Sequence, residues 1–111
     1  MKNNQNEAQP TEGILDIAVI PYENNKPHFI YSRKLSPDGT RWIRDGHFEE
    51  YYENGNLGSE GTYVDGFEEG YWKDYHENGN IAAEGYYSKG KEVGTWRFYN
   101  EQGELEEEET Y

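Results

Sequence analysis

Aromatic and aliphatic residues recur at fixed positions in the C-terminal part of the chain, separated by polar residues and glycines. The spacing repeats every 24 residues, so residues 46–69, 70–93 and 94–111 form three units, of which the third stops early. The columns shared by all three units are Phe48/Trp72/Trp96, Tyr51/Tyr75/Tyr99, Glu53/Glu77/Glu101, Gly55/Gly79/Gly103, Leu57/Ile81/Leu105, Glu60/Glu84/Glu108 and Tyr63/Tyr87/Tyr111. A constant period of this length predicts a repeat architecture with one supersecondary element in each unit.

Each unit has the sequence features of one β-hairpin. Asn54-Gly55 and Asn78-Gly79 separate an aromatic strand from a returning strand. Asn-Gly is the strongest short hairpin signal, because a type I′ turn requires positive φ at both central residues. A second glycine turn leads to the next unit, and glycines every few residues disfavour helices. The pattern predicts an all-β fold, an antiparallel hairpin meander of 24-residue repeats.

Two positions within each first strand raise a question that the sequence leaves open. The aromatic residue and the tyrosine are three residues apart, as in Trp72 and Tyr75. Strict alternation places them on opposite faces of the sheet. Either a β-bulge returns them to one face, or rings line both faces.

The N-terminal part of the chain is predicted to form a β cap. Residues 14–20 and 28–35 are strand-like, and we expect them to pair and to cover the first repeat. A shortened, degenerate repeat follows them, so we assign residues 14–45 to the cap. Residues 1–13 are expected to be disordered, and residues 46–111 form the repeat region.

Composition narrows the class of protein. Aromatic residues make up 16% of the chain, so the core is predicted to consist largely of rings. Without cysteine, disulfides and thiolate metal sites are excluded. No secretory h-region and no apolar run of roughly 20 residues is present, which predicts a cytoplasmic protein that does not enter a membrane.

The net charge of −13 lies entirely on the repeat region. Residues 1–45 carry six acidic and six basic residues, whereas residues 46–111 carry seventeen acidic and four basic residues. Such a field repels nucleic acid and attracts a basic protein. The alternative is that the acidic residues keep an aromatic-rich surface soluble.

The repeated pattern G-x-W-x-x-Y-x-E-x-G-x-[LI]-x-x-E-G-x-Y-x-x-G-K resembles the variant MORN repeat, over residues 46–111 and weakly over 38–45. The segment DGTRW followed by DGHFEEYYENGNL also resembles the YwqK-type antitoxin family. The resemblance implies an antiparallel meander and neutralisation of a bacterial toxin. It assigns no binding residue, since the shared residues are structural.

Catalytic, metal and cofactor chemistry is not expected. His28, His47 and His76 lack the spacing that zinc ligands favour. The recurring glutamates follow the period, whereas catalysis needs one asymmetric site. We expect Glu53 and its equivalents to accept turn amides or face solvent, and Glu60 and its equivalents to bond a neighbouring hairpin's backbone. The sequence therefore predicts neither an enzyme nor a bound cofactor.

Positions that vary between the units, or lie outside the strict motif, are free to contact a partner. These candidates for partner binding are Glu49, Glu50, Tyr52, Phe67, Tyr71, Asp74, His76, Tyr86 and Phe98. Exposed rings bordered by acidic residues suit a protein interface. The alternative for each ring is packing across neighbouring strands.

The leading functional hypothesis is an antitoxin or immunity protein that binds and occludes a toxin with a basic surface. A second hypothesis is a non-catalytic scaffold or adaptor with several partners. A third is carbohydrate binding, which requires rings in a line on one exposed face.

Overall fold

The computed structural model describes residues 15–111, so the predicted disorder of residues 1–13 lies outside the described residues. This part of the chain forms eight strands and contains no helix. The strands are β1 (Leu15–Pro21), β2 (Pro27–Leu35), β3 (Trp42–Tyr51), β4 (Leu57–Val64), β5 (Phe67–Tyr75), β6 (Ile81–Ser88), β7 (Lys91–Tyr99) and β8 (Leu105–Thr110). Each strand is antiparallel to the one before it, in a single sheet of order β1 to β8. The predicted all-β hairpin meander is confirmed.

The N-terminal strands continue the same sheet. β1 pairs with β2, and β2 in turn pairs with β3, the first strand of the repeats. The pairing expected between residues 14–20 and 28–35 is therefore observed. The sheet passes from β2 to β3 without a break, so the division into cap and repeats stays a prediction from sequence.

The loops that contain Asn-Gly differ from the prediction. In the first of them only Gly55 has positive φ, at 93°, and Asn54 does not. The amide of Gly55 donates to the carbonyl of Tyr52, and the amide of Tyr52 donates to the carbonyl of Asn56. This is a three-residue loop closed by a left-handed glycine. The expected type I′ turn is wrong here, because the longer loop requires positive φ only at its closing position.

Type I′ geometry occurs at the other end of the strands, away from the loops that contain Asn-Gly. Asp65 and Gly66 have φ of 51° and 90°, and Lys89 and Gly90 have φ of 52° and 83°. These residues join β4 to β5 and β6 to β7 directly. Asp-Gly suits such a turn, whereas Lys at the first position is a poor fit for the left-handed region.

Side-chain amides join neighbouring loops. Asn54 and Asn56 both donate to the backbone carbonyl of Glu77, at 3.0 and 2.7 Å. The same bonds recur one repeat later, from Asn78 and Asn80 to Glu101. The repeated asparagines therefore connect each hairpin to the next, and the glutamate of this column contributes its backbone carbonyl.

A two-residue β-bulge answers the question of the rings. Thr62 pairs with Glu69 but Glu60 pairs with Lys73, so Gly61 alone faces residues 70–72. The bulge begins at Gly70, whose φ is 77°. Because it ends at Trp72 and does not lie between Trp72 and Tyr75, those two rings stay on opposite faces. β3 and β7 carry the same irregularity at Gly46 and Gly94.

The core lies on one face of this single sheet, called here the aromatic face. Phe48, Trp72 and Trp96 are only 5%, 6% and 3% exposed. The partly buried rings packed against them are Phe29, Tyr31, Tyr63, Tyr87 and Phe98. Burying one such ring removes roughly 150–250 Å² from water, so the predicted ring-built core is present without a second layer.

Candidate functional site

The aromatic face carries a shallow groove of about 380 Å³. Phe48 and Trp72 form its floor, and Tyr63 and Tyr87 stand beside them. Tyr63 and Tyr87 meet Trp72 edge-on, with centroid distances of 5.3 and 5.9 Å and interplanar angles of 87° and 83°. Such contacts hold the rings in fixed orientations, so the floor of the groove is preformed.

The two tryptophans of the aromatic core are held by the backbone beneath them. The indole Nε1 of Trp72 donates to the carbonyl of Thr62, and that of Trp96 donates to the carbonyl of Tyr86, each at 3.1 Å. Their only polar atom is thus satisfied within the sheet. The indoles are therefore core side chains, which hold the surrounding rings in place.

Acidic side chains border the apolar floor. Glu50, Glu68 and Asp74 line the groove, and Arg44 lies at the end of it. The Arg44 guanidinium sits over the rings of Phe48 and Tyr63, 5.5 and 5.4 Å from their centroids. Acidic groups beside an aromatic floor match the chemistry of a basic, partly apolar protein segment.

The fold shifts the pKa of Asp74, one of the carboxyls of the groove. Burial raises its pKa, and the hydrogen bond that Ser59 Oγ donates to it at 2.8 Å partly offsets the rise. Asp74 is nevertheless solvent-exposed, so its carboxylate is open to a cation brought by a partner.

A second depression of about 340 Å³ extends the groove toward the loops that contain Asn-Gly. It shares Glu50, Ser59 and Asp74 with the first, and adds Tyr52 and His76. Four of the nine residues predicted to bind a partner therefore line one continuous surface.

Two of these four also have structural bonds. The Tyr52 hydroxyl donates to the carbonyl of Tyr75 at 2.6 Å, and His76 Nε2 donates to the carbonyl of Tyr99 at 2.9 Å. Tyr22, in the cap, makes the equivalent bond: its hydroxyl donates to the carbonyl of Tyr51 at 2.6 Å. This column links consecutive hairpins, and its part in partner binding stays a prediction.

Three of the predicted residues lie on the opposite face. Tyr71 and Tyr86 pack together there with centroids 5.3 Å apart. Glu49 accepts the Tyr51 hydroxyl at 2.9 Å. They do not share a surface with the groove.

The recurring glutamates on that opposite face bond tyrosine hydroxyls. Glu60 accepts Tyr75 at 2.6 Å, and Glu84 accepts both Tyr71 and Tyr99. These hydrogen bonds lower the pKa of Glu84. The expectation that this column bonds a neighbouring backbone is wrong, because the three-residue spacing brings the tyrosine hydroxyls to the same face.

The last two predicted residues lie apart from each other. Phe67 is exposed beside Val64 at the end of the strands that carries the type I′ turns. Phe98 packs against the core on the aromatic face. This matches the alternative given in the sequence analysis, in which a ring packs across neighbouring strands. Arg44 and Glu68 were missed by the sequence analysis. They are 24 residues apart and therefore occupy equivalent positions of the repeat, with opposite charges. This difference between repeats could have identified them from the sequence.

The described residues carry neither a metal-binding cluster nor a membrane-spanning helix. Within residues 15–111, no three histidine or acidic side chains are grouped closely enough to hold a metal ion. Nor does this range contain a helix long and apolar enough to cross a membrane.

Comparison with known proteins adds one positive finding. The family model described as MORN repeat variant matches residues 44–65, 68–89 and 92–111, one match for each hairpin unit. No curated protein and no solved structure matches the chain. MORN repeats are commonly protein-interaction or scaffold repeats. Because the three matches cover more than half of the 111 residues, the chain belongs to the MORN repeat variant family.

Proposed function

We propose that this protein is an antitoxin or immunity protein of the bacterial cytoplasm, resembling the YwqK-type family. It binds a toxin directly and occludes the toxin's active site. The chain itself performs no chemistry and needs no cofactor. Its partner is a protein, and neither nucleic acid nor a membrane is bound.

One observation supports the proposal most strongly. The whole net charge of −13 lies on residues 46–111, and the same repeats carry the groove in which Glu50 and Asp74 stand beside Trp72. A basic partner is steered by the long-range field and then held by ring contacts and desolvated ion pairs. This division of work suits an inhibitor that must capture its target quickly.

Co-expression tests the toxin assignment. The open reading frame next to this gene is expressed alone and together with the chain, and growth is followed. We expect toxicity from the neighbour alone and rescue by the chain. A neighbour that is harmless by itself contradicts the antitoxin proposal.

Removing two negative charges tests whether the groove is the binding surface. We expect Glu50→Gln/Asp74→Asn to weaken toxin binding by about tenfold to a hundredfold, as loss of desolvated charge pairs does. The matched control, Glu106→Gln/Glu107→Gln on β8, removes the same charge away from the groove and should change affinity little. Equal losses in both variants would leave only a general field effect and contradict the groove assignment.

Salt dependence tests the steering step. Between 50 and 500 mM salt the Debye length falls from about 14 to about 4 Å. We expect the association rate to fall across this range, measured by surface plasmon resonance. A rate that is insensitive to salt contradicts the role of the acidic surface.

The second candidate is a scaffold or adaptor. It is favoured by the family assignment, since MORN repeats commonly mediate protein interactions. Affinity purification distinguishes the two, because an adaptor recovers several partners and an antitoxin recovers one toxin. A rescued toxin in the co-expression assay decides for the antitoxin.

A further inference from the structure

The two edges of the sheet are chemically unlike. β8 is an edge strand whose residues 106–109 are four consecutive glutamates, all exposed. β1 is the other edge, and its single acidic residue, Asp16, is bonded to Arg33 at 2.8 Å. Charged side chains protect an edge from pairing with another chain. Only the β8 edge has that protection.

β1 also presents apolar side chains. Leu15, Ile17 and Val19 are 69%, 68% and 55% exposed. They occupy alternate positions of the strand, so they lie on one face. Among residues 15–111, no strand pairs with the outer side of β1. An exposed apolar edge strand is a template for strand addition.

We propose that β1 pairs with β1 of a second copy of this chain, giving a dimer with one continuous sheet. Charge distribution selects this occupant. Residues 1–45 are neutral overall, whereas residues 46–111 carry −13. Joining two copies at their neutral ends keeps the acidic regions at opposite ends of the combined sheet. Pairing through β8 would instead bring two glutamate runs together.

The geometry of the dimer follows from antiparallel pairing. A two-fold axis perpendicular to the sheet and midway between Ala18 and its copy places Ile17 opposite Val19 of the second copy. The same axis leaves both aromatic faces on the same side of the sheet. The inference is independent of the proposed function, because the groove lies over β2 to β6 and remains accessible.

The oligomeric state of the full chain tests the proposal. A single strand pair buries less than the roughly 1,600 Å² of a standard interface, so we measure sedimentation equilibrium up to about 100 μM. We expect twice the single-chain mass of 13.0 kDa. A chain that remains monomeric at that concentration overturns the proposal.

Variants then test the register. Ile17→Lys/Val19→Lys places like charges opposite each other across the axis and should give a monomer. Ile17→Lys/Val19→Glu places opposite charges there and should restore the dimer. Leu105→Lys on the far edge is the control, and should leave the dimer unchanged. A dimer that persists in the double-lysine variant, or is not restored in the lysine–glutamate variant, overturns the proposed pairing.

Other occupants of β1 give distinct results. If a partner protein adds its strand there, the wild-type chain is monomeric and the double-lysine variant loses partner binding. If residues 1–14 cover the strand, the wild-type chain is monomeric and dimerises only when they are removed. Either result overturns the dimer. Circular dichroism of each variant confirms that the sheet is intact.

Discussion

Trp96 lies directly against the backbone of Gly85. A Cβ atom added to Gly85 would stand 2.1 Å from Cδ2 of Trp96, far inside van der Waals contact. Gly61 and Trp72 show the same relationship one repeat earlier, also at 2.1 Å. The lack of a side chain at each glycine therefore leaves the space that the tryptophan of the next strand occupies. Glu109 occupies this position in β8, and within residues 15–111 no strand pairs with β8 to bring a ring above it.

Substitution of these glycines should disrupt the core. Gly85→Ala forces Trp96 out of a site where it is almost fully buried. We expect the free energy of unfolding to fall by about 3 kcal/mol, measured by denaturant titration followed by tryptophan fluorescence. Glu109→Ala in the same column should change stability by less than about 0.5 kcal/mol. Equal effects at both positions would mean that the ring does not depend on the glycine.

The turn at Lys89 offers a stabilising change. Lys89 has a φ of 52°, a conformation that asparagine tolerates better than lysine. Its backbone amide donates to Glu69, a bond that side-chain exchange leaves in place. We expect Lys89→Asn to raise the free energy of unfolding by about 0.5–1 kcal/mol. Lys89→Ala removes the same charge without this tolerance, so an equal gain there would attribute the effect to charge.

Removing one hydroxyl tests the column that links hairpins. Tyr52→Phe deletes the bond to the Tyr75 carbonyl and should lower the free energy of unfolding by about 1 kcal/mol. Tyr86→Phe on the opposite face, where the ring is exposed, is the control and should have little effect. Thermal denaturation compares the two. If Tyr52→Phe is as stable as the wild type but binds its partner weakly, the hydroxyl serves binding rather than folding.

Asp74 should give a pH-dependent stability difference. Burial raises its pKa, so the folded protein holds this proton more tightly than the unfolded chain does. Its contribution is fully present below the ordinary pKa of 3.8 and is lost as pH rises through the folded pKa. Because this side chain is solvent-exposed and water weakens the effect, we expect Asp74→Asn to raise the free energy of unfolding at pH 7 only modestly, with the gain shrinking toward pH 3.8.

Denaturant titrations at several pH values measure this difference. Glu106→Gln on the exposed β8 strand is the control and should give a small difference at every pH. A loss of stability in Asp74→Asn at neutral pH contradicts the desolvation argument. Combined with weakened partner binding, a gain would mean that the carboxylate is retained for function at the expense of stability.

The candidate site was only partly predictable. Repeat-breaking positions identified Glu50, Tyr52, Asp74 and His76, which the structure brings to one groove. The same criterion also selected Tyr71 and Tyr86, which lie on the opposite face. Variation between repeats shows where the scaffold is permissive, but it carries no information about the face on which a side chain stands.

The sequence by itself determined the repeat length, the strands and their order, because turn glycines and ring spacing are local signals that recur with one period. Only the tertiary structure showed whether alternation holds along each strand, because the two extra residues at Gly70 leave every later residue on its face, whereas one extra residue would exchange the faces. It also decided which turns adopt type I′ geometry, because loop length, rather than the Asn-Gly dipeptide, fixes the backbone angles. The acidic groove depends on both. Alternation within each strand sets the face of a side chain, and the register between strands sets which side chains become neighbours.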